Sequence, residues 1–467
     1  MSSTRPARLF AWSVTAAALA LGTSCSAITK FQDPCTDNVG CREAFGVGWV
    51  CGDSGLCEEA AEEPLCPESK FYPNKPSDKD TILIASLLDN DADVDMVDAA
   101  VLAIKQTLDE TAPPIPRSFA LIRCGYGGDE NTQVDNAKKA ARYAIDDLGA
   151  VAIVGPGTSR LAEAVYQEVG DRALIISPSA TSDSLTIIDG TMKSADNPGL
   201  FWRTVAPDAY QGEVIAQLIS EALRTHVALV FKKGSYGEGL ALQVTTSLQQ
   251  LGFTGMVDQW PFQSVTGDLA GFISDIDASA AEEVIFITDS TDDVVGFLTG
   301  AAGKPGFSTK SILLSDTGYN DAVLAAATGF GDGQIRGVRP SPSEGPVYDT
   351  YKFAYKALHG RDPTAYTPET YDATWLAIHG VTWAELQEDD LTPKSMARGL
   401  HKVSAGTPAN ISALSWKTIG QLFEEGQTVN LVGASGELDF DDVTEETRSK
   451  IEVWSITGGA FQRVTVK

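Results

Sequence analysis

From residue 81 onward the chain alternates two kinds of hydrophobic pattern. Short, nearly unbroken apolar runs recur: "TILIASLL" (81–88), "SFALIR" (118–123), "AVAIVG" (150–155), "ALIIS" (173–177), "HVALVF" (226–231), "EVIFIT" (283–288) and "SILLS" (311–315). Between them lie stretches with apolar residues three and four apart, such as Val214, Ile215, Leu218, Ile219 and Ala222. Helices are predicted near 94–110, near 131–148 and from about 159. A strand that is apolar at successive positions is buried on both faces, and the intervening helices cover those faces. The pattern predicts an α/β protein with parallel sheets. Its strand–helix units exceed what one sheet comfortably holds, so two doubly wound lobes are expected.

The last third reads differently. Helical periodicity dominates 346–402, and short strands follow at "TVNLVG" (428–433), "GELDF" (436–440) and "KIEVWSIT" (450–457). Late elements of both kinds imply that the chain returns to each lobe. The expected division is 79–205 plus about 340–410 for the first lobe, and 207–337 plus about 413–467 for the second. The lobes would be joined at "TVAPDAY" (204–210), at "RPSPSEGP" (339–346) and near 405–430. Three such crossings make a hinge.

Residues 1–24 read as a signal peptide, with Arg5 and Arg8 before the largely apolar run 9–21. The run ends in "LGTSC", which resembles a bacterial lipobox in which Cys25 is acylated, although Gly22 stands where Leu is usual. The other reading is an ordinary signal peptide with Cys25 left free. No later run reaches the roughly 18–20 apolar residues of a spanning helix, so membrane attachment is expected only through a lipid. Six cysteines remain, and an even number in an exported chain argues for disulfides. Cys35, Cys41, Cys51 and Cys57 fall within 35–57 among Gly-rich turns, a small stapled module with three possible pairings. A zinc site is the rival, weakened by the lack of a Cys-x-x-Cys pair or a nearby His. By elimination Cys66 pairs with Cys124, pinning the acidic, Pro-rich linker that completes 25–78 to the main body.

Charge narrows the partners. With 35 basic and 63 acidic residues the net charge is −28, which disfavours nucleic acid and anionic membrane surfaces. Enzyme signatures are absent: the four His (226, 359, 379, 401) are scattered, and there is no Gly-x-Ser-x-Gly elbow or P-loop. "GDGQIRG" (331–337) is off the dinucleotide spacing, so neither cofactor nor metal is expected. "DNDADVDM" (89–96) alternates Asp89, Asp91, Asp93 and Asp95 as a calcium loop does. However, Val94 replaces the required Gly, and Ala100 stands where the bidentate Glu belongs. That loop either favours cationic ligands or is a solvated face.

In an open α/β sheet, ligands bind beyond the carboxyl ends of the strands. There stand Thr158 and Ser159 in "GPGTSR", opening a helix whose free N–H groups suit an anion. There too are the hydroxyl-rich "SPSATSDS" (177–184), Asp316 in "DTGYND" and Tyr236 in "KKGSYGEG". Each has a plainer explanation: Thr158 or Ser159 as a helix cap, Asp316 as a turn residue, Tyr236 as packing.

"VGPGTSRLAEA", "LIISPSATSDSL", "WRTVAPDAYQG" and "KKGSYGEGLALQV" stand in an order and spacing that resemble the type I periplasmic-binding fold. Over about 80–467 the chain is similar to the leucine/branched-chain amino acid-binding proteins of ABC importers. The resemblance implies that Thr158 and Ser159 bind a ligand carboxylate, together with the backbone and hydroxyl around Ala180 and Thr181. It implies that Asp316 meets the ligand's ammonium and that Tyr236 closes from the facing lobe. The expected protein is an exported, lipid-anchored solute-binding protein that closes on a small polar ligand, an amino acid, and meets an ABC permease. The alternative is an envelope lipoprotein that binds another protein through the same fold with a degenerate pocket. The chain departs from the family in its acidic first loop, in having no aromatic after 283–288, and in offering only Cys124 for the family's first-lobe disulfide.

Overall fold

The computed structural model describes residues 34–263, 269–388 and 390–467; the signal peptide expected over 1–24 and Cys25 lie outside the described residues. The chain opens with a small module. Asp37 caps helix α1 (Asn38–Phe45) by accepting from Gly40 N at 2.9 Å. A hairpin of β1 (Trp49–Cys51) and β2 (Cys57–Glu59) follows. Disulfides Cys35–Cys51 and Cys41–Cys57 staple this module, which has little core of its own, so all four cysteines are consumed as bridges. Asn38 Nδ2 and Arg42 Nη1 both donate to the Asp146 carbonyl, at 2.9 and 2.7 Å, and seat the module on the first lobe. The Cys66–Cys124 bridge adds a covalent tie.

The first lobe is built from β3 (Phe71–Tyr72), β4 (Ile82–Leu87), α2 (Val94–Asp109), β5 (Phe119–Cys124), α3 (Glu130–Arg142), β6 (Ala152–Val154), α4 (Ser159–Val169), β7 (Leu174–Ser177) and β8 (Phe201–Arg203). Its sheet runs β3-β5-β4-β6-β7-β8, parallel except for β3. Strand side chains alternate between faces, and both faces are covered. Ile82, Ile84, Phe119 and Leu121 enter one apolar cluster, while Leu83, Ala85, Leu87, Ala120 and Ile122 enter the other.

The second lobe contains α5 (Asp208–Glu221), β9 (His226–Lys232), α6 (Ser235–Gln250), β10 (Met256–Phe262), α7 (Leu269–Ala278), β11 (Glu283–Ile287), α8 (Thr291–Ala301), β12 (Ser311–Leu314), α9 (Asp321–Ala326) and β13 (Ile335–Pro340). The chain then continues through α10 (Pro346–His359), α11 (Thr367–Trp383), α12 (Pro393–Leu400), β14 (Thr407–Asn410), α13 (Ala413–Glu424), β15 (Val429–Val432), β16 (Ile451–Thr457) and β17 (Ala460–Val466). The second sheet runs β10-β9-β11-β12-β13-β16-β17, with β16 antiparallel to β13 and β17 antiparallel to β16.

Two expectations need correction. The segment from 413 was expected in the second lobe, yet Trp416, Ile419 and Phe423 of α13 share a buried cluster with Phe119, Trp202 and Trp375. The Trp416 ring lies 5.8 Å from Phe119 and 5.9 Å from Trp375. The i, i+3, i+7 apolar stripe of α13 is buried against this first-lobe aromatic surface. The chain therefore rejoins the second lobe only at β16, and the third crossing is 441–450 rather than 405–430. Likewise "GELDF" (436–440) forms no strand. Leu438 and Phe440 are buried in the same cluster, but pairing is limited to a bridge from Val432 to Glu437.

The order of both sheets reverses, beside β4 in one and beside β9 in the other. At such a switch point the loops leaving neighbouring strands part and open a crevice. The candidate residues sit at this level of each lobe.

Candidate functional site

On the first lobe, Thr158 has the extended backbone of a helix cap (φ −115°, ψ 148°), yet its side chain caps nothing. Its Oγ1 is buried with no hydrogen-bond partner. An orphan hydroxyl beside a helix N-terminus is what a carboxylate subsite requires, and capping does not describe it. Ser159 Oγ, by contrast, accepts from Ser182 N at 3.0 Å.

Most of the hydroxyls after β7 brace the loop rather than line a pocket. Ser177 Oγ donates to the Pro156 carbonyl at 2.7 Å and accepts from Ala180 N at 3.1 Å; Ser179 Oγ donates to the Gly157 carbonyl at 2.8 Å. Arg203 Nη1 holds the carbonyls of Ala180 and Ser182, at 3.2 and 2.8 Å. Both backbone groups of Ala180 thus have partners within the chain. Thr181 keeps its hydroxyl toward Asp208 and accepts from Asp208 N at 2.8 Å through its carbonyl.

From the second lobe, Tyr236 stands in the first turn of α6, reached through Gly234 at φ +133°, a conformation that costs glycine least. Its hydroxyl donates to one oxygen of Asp316 and accepts from Gln211 Nε2 at 3.3 Å. The other Asp316 oxygen accepts from Tyr366, which belongs to the first lobe and immediately precedes α11. Asp316 thus ties the two lobes together. A second cross-lobe contact runs from Ser182 Oγ to the Ser235 carbonyl at 2.9 Å.

Three residues here carry no sequence signal that reasoning could use. Tyr366 adopts φ +60°, where bulky side chains are rarely found, and such strain gathers at functional sites. Gln211 lies one turn into α5. Asp208 opens α5 directly after the first crossing and is 1% exposed. Burial, then the neighbouring Asp316 and Asp183, raises its carboxyl well above the usual range. Burial and Asp316 likewise raise the Tyr236 and Tyr366 hydroxyls, which stay protonated as donors.

The acidic loop faces other duties. Asp89 Oδ1 accepts from Asp91 N and Ala92 N at 2.9 and 3.0 Å, closing a turn. Asp93 Oδ2 accepts from Asp89 N and the Tyr126 hydroxyl at 2.9 and 3.1 Å. Asp95 and Asp98 pair with Arg361, both at 2.6 Å. These carboxylates diverge rather than converge on one cation, and the loop joins α2 to the segment after α10.

The hinge is reinforced beside the site. Arg203, 1% exposed, binds Glu446 of the third crossing through Nε at 3.0 Å. The preceding Glu445 is met by His401 Nε2 at 2.7 Å and Lys193 Nζ at 3.5 Å. Thr204 Oγ1 of the first crossing donates to the Glu369 carbonyl at 2.9 Å.

Residues 127–418 match the family model described as a periplasmic binding protein. The chain is 24% identical over 351 residues to the chemotactic signal transduction system substrate-binding protein BasB of Halobacterium salinarum, covering 72% of this chain and 75% of that protein. It is 23% identical over 249 residues to the leucine-, isoleucine-, valine-, threonine- and alanine-binding protein of Pseudomonas aeruginosa, covering 52% and 61%. Among solved structures, the leucine-binding protein LivK of Thermotoga maritima superposes with a TM-score of 0.64 at 17% identity, over 83% of this chain and 98% of that one. A solute-binding protein of R. palustris in complex with benzoate superposes with a TM-score of 0.60 at 15% identity, over 83% and 96%. The fold is thus shared across binders of chemically different ligands.

Proposed function

This chain belongs to the periplasmic binding protein family, and we propose that its two lobes close on a small polar ligand, an amino acid first among them. It is a binding protein, not an enzyme. The observation that carries the proposal is the Asp316 carboxylate, held by a hydroxyl from each lobe at the ends of the strands. A ligand ammonium fits this carboxylate. The orphan Thr158 hydroxyl and the start of α4 suit its carboxylate, with Ser159 and Thr181 flanking. Closing the lobes removes these groups from water, which strengthens each contact. Cys25 as a lipid anchor and an ABC permease as partner complete this reading; the likeness to BasB adds a chemotactic transducer as another receiver of the closed form.

One observation favours a second reading. Both oxygens of Asp316 are already taken by the chain's own tyrosines, as in an envelope protein whose pocket has degenerated and whose partner is another protein. Calorimetry with the twenty amino acids separates the two. At least one should bind, and Thr181→Ala and Asp316→Ala should both weaken it. Heat from none of them would favour the protein-partner reading.

A further inference from the structure

We infer that the ligand of this cleft carries two cationic nitrogen centres and that Asp208 receives the second, a conclusion that rests on the cleft being a ligand site. Both Asp208 carboxylate oxygens are buried without a well-formed hydrogen bond. Asp208 is the first residue of α5, where the helix dipole favours an acid, yet neither carboxylate oxygen accepts a helix N–H. Its surroundings are the site itself: Asp316 and Asp183 bear on it, and both Tyr236 and Tyr366 feel its charge.

The arrangement gathers more carboxyl groups than one ammonium can match; burial favours their protonated forms, and a second bound cation would take the place of such a proton. Asp316 is the carboxylate that a zwitterion would meet, and two hydroxyls already hold it in place. Asp183 adds a third acid, accepting from Ala209 N at 3.1 Å, and Glu369 near Tyr366 is pushed up to about 8 by burial. The cation that acts on both Asp208 and Asp183 is Arg203, and Glu446 already matches it. Neighbouring carboxylates in a dry site demand either a proton or a positive partner. A leucine-like zwitterion supplies one cation; lysine, ornithine or a short diamine supplies two. The acidic loop 89–95 is not the source of this preference, because Arg361 and local backbone occupy it.

The test is calorimetry of the full chain with L-lysine, L-ornithine, 1,4-diaminobutane and L-norleucine, the last a lysine isostere without the terminal ammonium. Lysine or ornithine, or the diamine if the carboxylate subsite is unused, should bind roughly 10- to 100-fold more tightly than norleucine, the worth of a charge-assisted contact. Asp208→Asn should erase that difference by weakening lysine and ornithine more than norleucine. Norleucine binding as tightly as lysine to the wild-type protein overturns the inference while sparing the ligand-binding reading, even if the variant fails to fold. Heat from none of the four at millimolar concentration, nor from any amino acid, overturns both.

Discussion

Replacing Glu446 by Ala should destabilise the protein by about 3–5 kcal/mol, because it strands a buried guanidinium. Arg203 is 1% exposed and makes two kinds of bond. It donates to the carbonyls of Ala180 and Ser182 at 3.2 and 2.8 Å and to Thr186 Oγ1 at 2.9 Å, and those survive the change. Its charge is matched by Glu446, which also accepts from Thr186 Oγ1 at 2.7 Å. Neutral acceptors cannot replace that anion in a site closed to water, so the loss falls on the folded state. Against a typical total of about 5–15 kcal/mol, this is a large fraction. At about 2–4 °C per kcal/mol for lobes of this size, Tm should fall by roughly 6–20 °C. Calorimetric melting and urea midpoints provide the measurement. The double variant Arg203→Met with Glu446→Leu removes both desolvated charges but strands the carbonyls of Ala180 and Ser182, so it should recover only part of the loss. A Glu446→Ala variant within about 0.5 kcal/mol of wild type would refute the claim that this pair fastens the hinge to the pocket loop.

Other outcomes follow from the same structure. His379 is sealed between Trp375 and Phe423, and burial pushes it down to about 3. The unfolded chain therefore takes up this proton first as pH falls below about 6.5. His379→Leu should remove roughly 2–3 kcal/mol of the wild type's stability loss between pH 7 and 4.5, read from urea midpoints. Trp416→Ala should cost about 3–5 kcal/mol and raise amide exchange in 82–203 and 351–440 while sparing 226–340, as a first-lobe residue must. Cys66→Ala with Cys124→Ala opens a tie spanning 58 residues and should cost about 4 kcal/mol in thermal or urea unfolding.

What the sequence disclosed divides along physical lines. Strands buried on both faces, such as Ile82–Leu87 and Glu283–Ile287, announce themselves because nearly every position is apolar, with only Ser86 and Glu283 as polar exceptions. The edge strand Met256–Phe262 does not: Asp258, Gln259 and Pro261 interrupt it, as an outer edge allows, and no apolar run marks it. Helix α13 shows its stripe plainly, but periodicity says only that a face is buried, not which lobe buries it. The site follows the same rule. Asp316, Tyr236 and Thr158 were reachable because strand ends are legible and the motifs around them resemble a family. Tyr366 depends on a left-handed backbone before α11, and Asp208 on the meeting of two lobes, and neither leaves a local pattern. The hydroxyl run 177–184 shows the converse: composition marks a loop rich in donors and acceptors but cannot tell brace from pocket wall.

The central claim is that two lobes meet on a ligand at Asp316, and a distance across the cleft tests it most directly. Met192 on the first lobe and Leu242 on the second are 86% and 64% exposed, so spin labels there leave the core intact. With bound ligand, pulsed dipolar spectroscopy should give one short, narrow distance, and ligand removal or Asp316→Ala should lengthen and broaden it. The same distribution in all three states would contradict the account.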